Sequence, residues 1–169
     1  MTTYIALLRA VNVGGTGKLP MSELRSLCES AGFAHVRTYI ASGNVVFESA
    51  LSKASVKAEL ERCLEDYAGK PVGVLIRTGK EMAAVVAANP FKSAAPNRTV
   101  ALFLDGPPPA DALANVSGLQ SEEMAFGTHE IYVHYPNGIG ESKLKIPAAK
   151  TGTARNMNTV ATLAEWAAA

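Results

Sequence analysis

Two cations, an asparagine and three glycines gather near the start of the chain, in Leu7-Leu-Arg-Ala-Val-Asn-Val-Gly-Gly-Thr-Gly-Lys-Leu-Pro20. Glycine permits positive φ and leaves backbone N–H groups exposed, so successive amides can converge on an anion. Arg9, Asn12 and Lys18 would add charge and direction around Gly14 and Gly15. Two specific phosphate motifs fail here. A P-loop would need glycine where Asn12 stands and a hydroxyl where Leu19 stands, and Gly14, Gly15 and Gly17 do not have dinucleotide-fingerprint spacing. An ordinary ATPase or Rossmann dehydrogenase is therefore not expected.

A second polar concentration lies near the other end, with Ser142 and Lys143 followed by Thr-Gly-Thr-Ala-Arg-Asn-Met-Asn-Thr-Val over 151–160. Met157, Val160, Leu163 and Ala164 keep helical spacing, which makes Thr153 or Asn156 the N-cap and places Arg155 at or just before the first turn. A cation there opposes the helix dipole by roughly 0.3 to 1 kcal/mol, a local conflict that a bound anion would relieve. The alternative is a later helix start with Arg155 in a solvated loop. Ser42-Gly43-Asn44, between two strand-like runs, is a third polar group. Turn formation accounts for Ser42 and Asn44 most simply, with a ligand role as the alternative.

Metal and nucleophile chemistry lack comparable support. His35, His129 and His134 have no partners at ligand spacing, so no metal site is expected. Tyr132 and His134 read as a half-exposed pair on one strand face. No Ser-His-Asp order, nucleophile elbow or Cys-His arrangement has supporting context. Cys28 and Cys63 each continue an apolar helical face and read as buried free thiols.

The elements that must position these groups follow from periodicity. Tyr4–Leu8 is a strand, Met21–Ala31 a helix opened by Pro20 and closed at Gly32, and Val36–Ile40 with Val45–Phe47 a hairpin. A helix over 55–67 and a strand over 72–77 complete the order βαββαβ. Thr78 and Glu81 form a capping box for a third helix, ended at Asn89-Pro90. Residues 90–98 have linker composition. Beyond them come a strand at 99–104, a short helix around 111–116, a hairpin of 124–126 with 130–135, and the last helix, with no final strand visible. The reading is an α+β chain of two ferredoxin-like halves with antiparallel sheets, 1–90 and 91–169, closely packed and the second incomplete.

Composition sets the outer bounds. A chain of 169 residues can bury roughly 70% of its unfolded surface without staples. Sixteen Lys and Arg against fifteen Asp and Glu give no bulk reason to bind nucleic acid or an anionic membrane, so any anion site must be local. The first apolar run is too short for a signal sequence and no stretch would span a bilayer, which predicts a cytosolic protein without membrane attachment. The sequons at Asn97 and Asn115 are then chance matches.

Leu-Leu-Arg-Ala-Val-Asn-Val-Gly-Gly at 7–15, Thr-Tyr-Ile-Ala-Ser-Gly-Asn-Val-Val-Phe at 38–47, Asn89-Pro90-Phe91, Ser142-Lys143-Leu144 and Thr153-Ala-Arg-Asn-Met-Asn-Thr-Val160 together resemble the bacterial domain of unknown function 1697. The resemblance implies a small cytosolic protein with two ferredoxin-like halves and implies no activity. Met157 stands where the family commonly has tryptophan, and Ala10 where glycine is frequent, so aromatic stacking on a ligand is not expected at 157.

The leading expectation is a cleft between the halves for a small phosphorylated or otherwise anionic ligand. Arg9, Asn12, Gly14, Gly15 and Lys18 would form one wall and Ser142, Lys143, Arg155, Asn156 and Asn158 the other, with Ser42 and Asn44 as further candidates. Cofactor and reaction are left open, because no nucleophile or general base accompanies these donors. The alternatives are an RNA-binding module, disfavoured by charge balance and few strand aromatics, and a purely structural or partner-binding domain.

Overall fold

All residues from Tyr4 to Leu8 are buried, so the first strand lies within a sheet that is covered on both faces. The computed structural model describes residues 1–9, 19–40 and 42–168. Among them, eight strands form two four-stranded antiparallel sheets, accompanied by four α-helices. The fold is α+β. The chain divides into two compact units, Met1–Met82 with Leu163–Ala169, and Ala83–Thr162.

In the first unit, β1 (Thr2–Leu8), α1 (Met21–Ser30), β2 (Ala34–Tyr39), β3 (Asn44–Ser49), α2 (Lys53–Ala68) and β4 (Val74–Thr78) follow one another, and the sheet order is β2-β3-β1-β4. Tyr4, Ala6, Leu8, Val45, Phe47 and Ile76 form one core with Leu24 and Cys28 of α1 and Val56, Leu60 and Leu64 of α2. Phe33 stacks on Phe47 with ring centroids 4.3 Å apart. Ile5, Leu7, Val46 and Leu75 alternate onto the opposite face and are buried as well. The expected hairpin is present: β2 and β3 pair antiparallel through Arg37↔Val46, Thr38↔Val45 and Tyr39↔Asn44. Asn44 is fully buried, and its Nδ2 donates to the Tyr39 carbonyl at 2.9 Å, a side-chain to backbone bond that serves the turn.

Helix ends are set by local chemistry. Ser52 caps α2 by accepting from the Ser55 N–H, and Gly69 closes it in the left-handed conformation at φ 73°. α3 (Gly79–Ala87) begins with the expected capping box: the Thr78 N–H donates to Glu81 Oε1 at 2.8 Å, and the Glu81 N–H donates to Thr78 Oγ1 at 3.2 Å.

The second unit contains β5 (Thr99–Phe103), β6 (Glu123–Phe126), β7 (Glu130–His134) and β8 (Thr153–Asn156), in the order β6-β7-β5-β8, and the first half of α4 (Met157–Ala168). Counted within each unit, the two sheets have the same strand order. Val100, Leu102, Ile131 and Val133 make a core with Ala112, Leu113, Leu144 and Ile146, which come from loops. Two expectations are corrected here. Residues 111–116 form turns, with the Ala112 N–H donating to Pro109 O and the Ala114 N–H to Asp111 O, because six residues are too few to repay helix nucleation. The strand thought missing is β8, paired antiparallel with β5.

Both cysteines are buried and free, as expected. Burial pushes the Cys28 thiol up to about 12, with Cys63 and Glu29 adding in the same direction. Thiolate is the reactive form, so Cys28 should react with maleimide far more slowly in the native protein than in denaturant, and reductant should leave the melting temperature unchanged. Equal native and denatured labelling rates at Cys28, read by mass spectrometry, would contradict this.

The capping box gives a second expectation. Burial raises the Glu81 carboxyl, but hydrogen bonds from Lys53 and the Thr78 N–H outweigh it and hold the group below its usual range. A depressed carboxylate contributes stability above its unfolded value and loses it as pH falls through the folded one. Thr78→Ala should cost about 1 kcal/mol. The difference in melting temperature between the native chain and Glu81→Gln should shrink from neutral pH to about pH 3. A pH-independent difference would show that the carboxylate's charge is not involved.

Candidate functional site

The polar residues around 153–158 sit at the strand-to-helix junction of β8 and α4. Gly152 brings the chain there: an added Cβ would lie 2.4 Å from the Phe103 carbonyl oxygen and 2.8 Å from Leu104 Cδ2. Only glycine lets the backbone pass that close to β5. The ladder then sets Thr153 opposite Phe103 and Arg155 opposite Ala101.

Arg155 is neither in a helical turn nor in a solvated loop. It lies in β8, 7% exposed, and its Nη1 donates to Thr153 Oγ1 at 2.6 Å and to the Ala154 carbonyl at 3.0 Å. The side chain thus turns back along the strand, away from the helix end, which lessens the expected conflict with the dipole. Burial lowers its pKa to about 10, leaving it charged at neutral pH. Asn156 is the cap of α4, its Oδ1 accepting from the Thr159 N–H at 2.9 Å. This leaves its Nδ2 as a donor beside the first N–H groups of the helix. The Asn158 side chain is exposed one turn position further on, and Met157 is buried, so no aromatic platform stands at 157.

The same face of the second sheet carries residues that sequence reasoning missed. Ala101 lies between Arg155 and Tyr132, and Phe103 lies between Thr153 and Glu130. Glu130 and Tyr132 are both buried, so the half-exposed Tyr132/His134 pair is corrected at Tyr132. Burial, followed by the nearby Glu130, pushes the Tyr132 hydroxyl up to about 12. That hydroxyl donates to the Val85 carbonyl at 2.7 Å. The available signal was the spacing Glu130, Tyr132: two polar-capable side chains on one strand face, one of them aromatic.

The remaining candidates fall elsewhere. The Ser142 hydroxyl donates to Glu122 at 2.8 Å and accepts from the Leu144 N–H. The Gln120 N–H and Ser142 hold the Glu122 carboxyl below its usual range. Lys143 is exposed, and its carbonyl lies against Gly118, where an added Cβ would meet it at 2.0 Å. Ser142 and Lys143 therefore fasten the 139–145 loop to residues 117–122 and make no hydrogen bond to the Arg155 segment. Ser42 Oγ accepts from Asn44 Nδ2 at 2.9 Å, which places both in the hairpin turn. In the first unit, the Arg9 N–H donates to Gly73 O at 2.9 Å and its Cδ lies where a Gly73 Cβ would be 3.1 Å away. Asn12, Gly14, Gly15 and Lys18 lie outside the described residues. Among the described residues, no group of three or more His, Cys, Asp and Glu could hold a metal ion, and no helix is long and apolar enough to cross a membrane.

The solved structure of the conserved bacterial protein SP0830 from Streptococcus pneumoniae matches this fold with a TM-score of 0.83 at 27% identity, covering 100% of this chain and 99% of that one. No protein of curated function matches the chain. The model of the family described as protein of unknown function DUF1697 matches residues 1–132. That span runs from β1 into β7, and the chain belongs to the DUF1697 family.

Proposed function

We propose that this cytoplasmic protein of two ferredoxin-like halves binds a small phosphorylated or otherwise anionic ligand through the donors at the start of α4. The observation that carries the reading is a buried, charged Arg155 two residues before a helix N-terminus. The helix start favours negative charge within about one turn, and the guanidinium, although it turns back along β8, adds positive charge to the same junction. Asn156 Nδ2 and the exposed Asn158 amide add direction. Arg9, Asn12, Gly14, Gly15 and Lys18 are proposed as a second set of donors, tested separately. The reading is preferred over RNA binding because that role needs an open sheet face for base stacking. Here the central strand residues Ile5, Leu7, Ala101 and Phe103 are buried.

The test is thermal denaturation with inorganic phosphate, nucleotides, sugar phosphates and a short RNA at fixed ionic strength. A ligand at 100 times its Kd adds about 2.7 kcal/mol, or roughly 5 to 10 °C for a chain of this size. Asn158→Asp is the diagnostic variant: an acid in the first turn should stabilise the free helix by about 0.3 to 1 kcal/mol while repelling an anion. The expected result is an unchanged or higher melting temperature without ligand and a smaller ligand shift. Arg155→Lys should weaken the response by losing the planar fork. Arg9→Ala and Lys18→Ala read the second donor set. Absence of any anion shift in the native chain would overturn the proposal, and a steeply salt-dependent RNA response would replace it.

A further inference from the structure

The starts of α3 and α4 are built alike. In the first sheet Arg77 lies opposite Ile5, and Ile5 opposite Val46; in the second, Arg155 lies opposite Ala101, and Ala101 opposite Tyr132. Both arginines are buried, and each donates from Nη1 to the carbonyl of the residue before it, Ile76 at 3.1 Å and Ala154 at 3.0 Å. The next residue caps a helix in both cases: Thr78 Oγ1 accepts from the Glu81 N–H, and Asn156 Oδ1 from the Thr159 N–H. The third helical position separates the two. In α3 it carries a carboxylate, Glu81, which accepts from the Thr78 N–H at 2.8 Å and from Lys53 Nζ at 2.5 Å. Burial raises that carboxyl, and the hydrogen bonds from Lys53 and Thr78, with the charges of Lys53 and Arg77, outweigh it. In α4 the position is Thr159, only 4% exposed, whose hydroxyl makes no hydrogen bond to any described residue. Among the described residues no partnerless side-chain oxygen or nitrogen is sealed from solvent, so this hydroxyl is reached from outside. Nor does any described side chain accept from the Asn156 N–H.

We propose that a small carboxylate from solution binds at the start of α4, accepting from the Asn156 N–H and the Thr159 hydroxyl, in the place that the Glu81 carboxylate fills at the start of α3. This rests on the anion-binding reading of the junction and narrows it to one ligand class. Glutamate reaches two bonds further than threonine, so the side chain that would close a capping box on Asn156 is missing, and a separate carboxylate supplies it. The first-turn N–H groups and a buried arginine on the preceding strand attract negative charge at both helix starts. In α3 the chain provides that charge itself; in α4 it does not.

The experiment is a titration of the full chain with acetate, acetamide and inorganic phosphate at fixed ionic strength and pH, followed by backbone amide chemical shifts. Acetate should give saturable shifts centred on residues 156–159, and neutral acetamide and phosphate weaker ones. Thr159→Val, which keeps the side chain's shape, should weaken acetate about tenfold, the loss of one hydrogen bond to a charged group, and Thr159→Ser should retain it. Glu81→Ala tests the likeness of the two helix starts: acetate should then also shift residues 78–81 and recover part of the lost melting temperature. A saturable phosphate response at 156–159 without an acetate response would overturn the carboxylate assignment and leave the broader anion reading standing, whereas no saturable response to either anion would overturn both. Equal binding of acetamide and acetate, an unaltered Thr159→Val titration, or a Glu81→Ala chain indifferent to acetate at 78–81 would each overturn the assignment.

Discussion

Burial of both faces of the central strands is the constraint on which the structure rests. Tyr4 to Leu8 and Val100 to Leu104 are unbroken buried runs. A strand with no side open to water must pair its backbone on both edges, or leave N–H and C=O groups unsatisfied at a cost of about 1 to 3 kcal/mol each. β1 accordingly lies between β3 and β4, and β5 between β7 and β8. In the first unit α1 and α2 cover one face. On the other, the last turn of α4 brings Trp166 against β2, with the Arg37 guanidinium 3.8 Å from the indole centroid and Tyr39 edge-on at 5.2 Å. Ala167 lies against Gly79, where an added Cβ would come within 3.2 Å.

Charge buried within the sheets has a different status from charge on the helices. The Arg25–Glu29 and Arg62–Asp66 pairs of α1 and α2 are exposed, and such pairs are worth about 0 to 1 kcal/mol. Arg77, Glu130 and Arg155 are at most 7% exposed. Burying such groups costs several kcal/mol before any partner repays it, and apolar side chains of equal volume are often as stable. Packing therefore does not account for their presence. Arg155 is the inward side chain of a four-residue edge strand, where its Nη1 donates to Thr153 Oγ1 and to the Ala154 carbonyl.

How far the fold was legible follows from the same distinction. Tyr4–Leu8, the β2–β3 hairpin and the Thr78–Glu81 box were readable because apolar period and turn chemistry agreed with tertiary contacts in each. β8 was not readable, because Thr-Ala-Arg-Asn places a cation where period-two patterning calls for a hydrophobe. The turn at 111–116 was misread since Ala112 and Leu113 carry an apolar signal that a turn can satisfy as well as a helix. At the candidate site, residue types were legible and neighbours were not. Arg155 and Asn156 stood out by composition, but Glu130 and Tyr132 reach the same sheet face only through the β7–β5–β8 ladder, which no local spacing reveals.

Asn156 shows how structural and chemical roles share one residue. Its side chain has one acceptor and one donor nitrogen. Capping consumes the acceptor on the Thr159 N–H and leaves the donor nitrogen for another partner. Serine or aspartate would cap the helix as well, but aspartate would set a negative charge beside the first-turn amides and serine would offer a single rotatable proton. Asparagine is the capping residue that completes the helix start and keeps the locality positive and donor-rich. With Arg155 one residue earlier, on the strand that Gly152 allows against β5, the junction satisfies the sheet, starts the helix and collects donors with the same few residues.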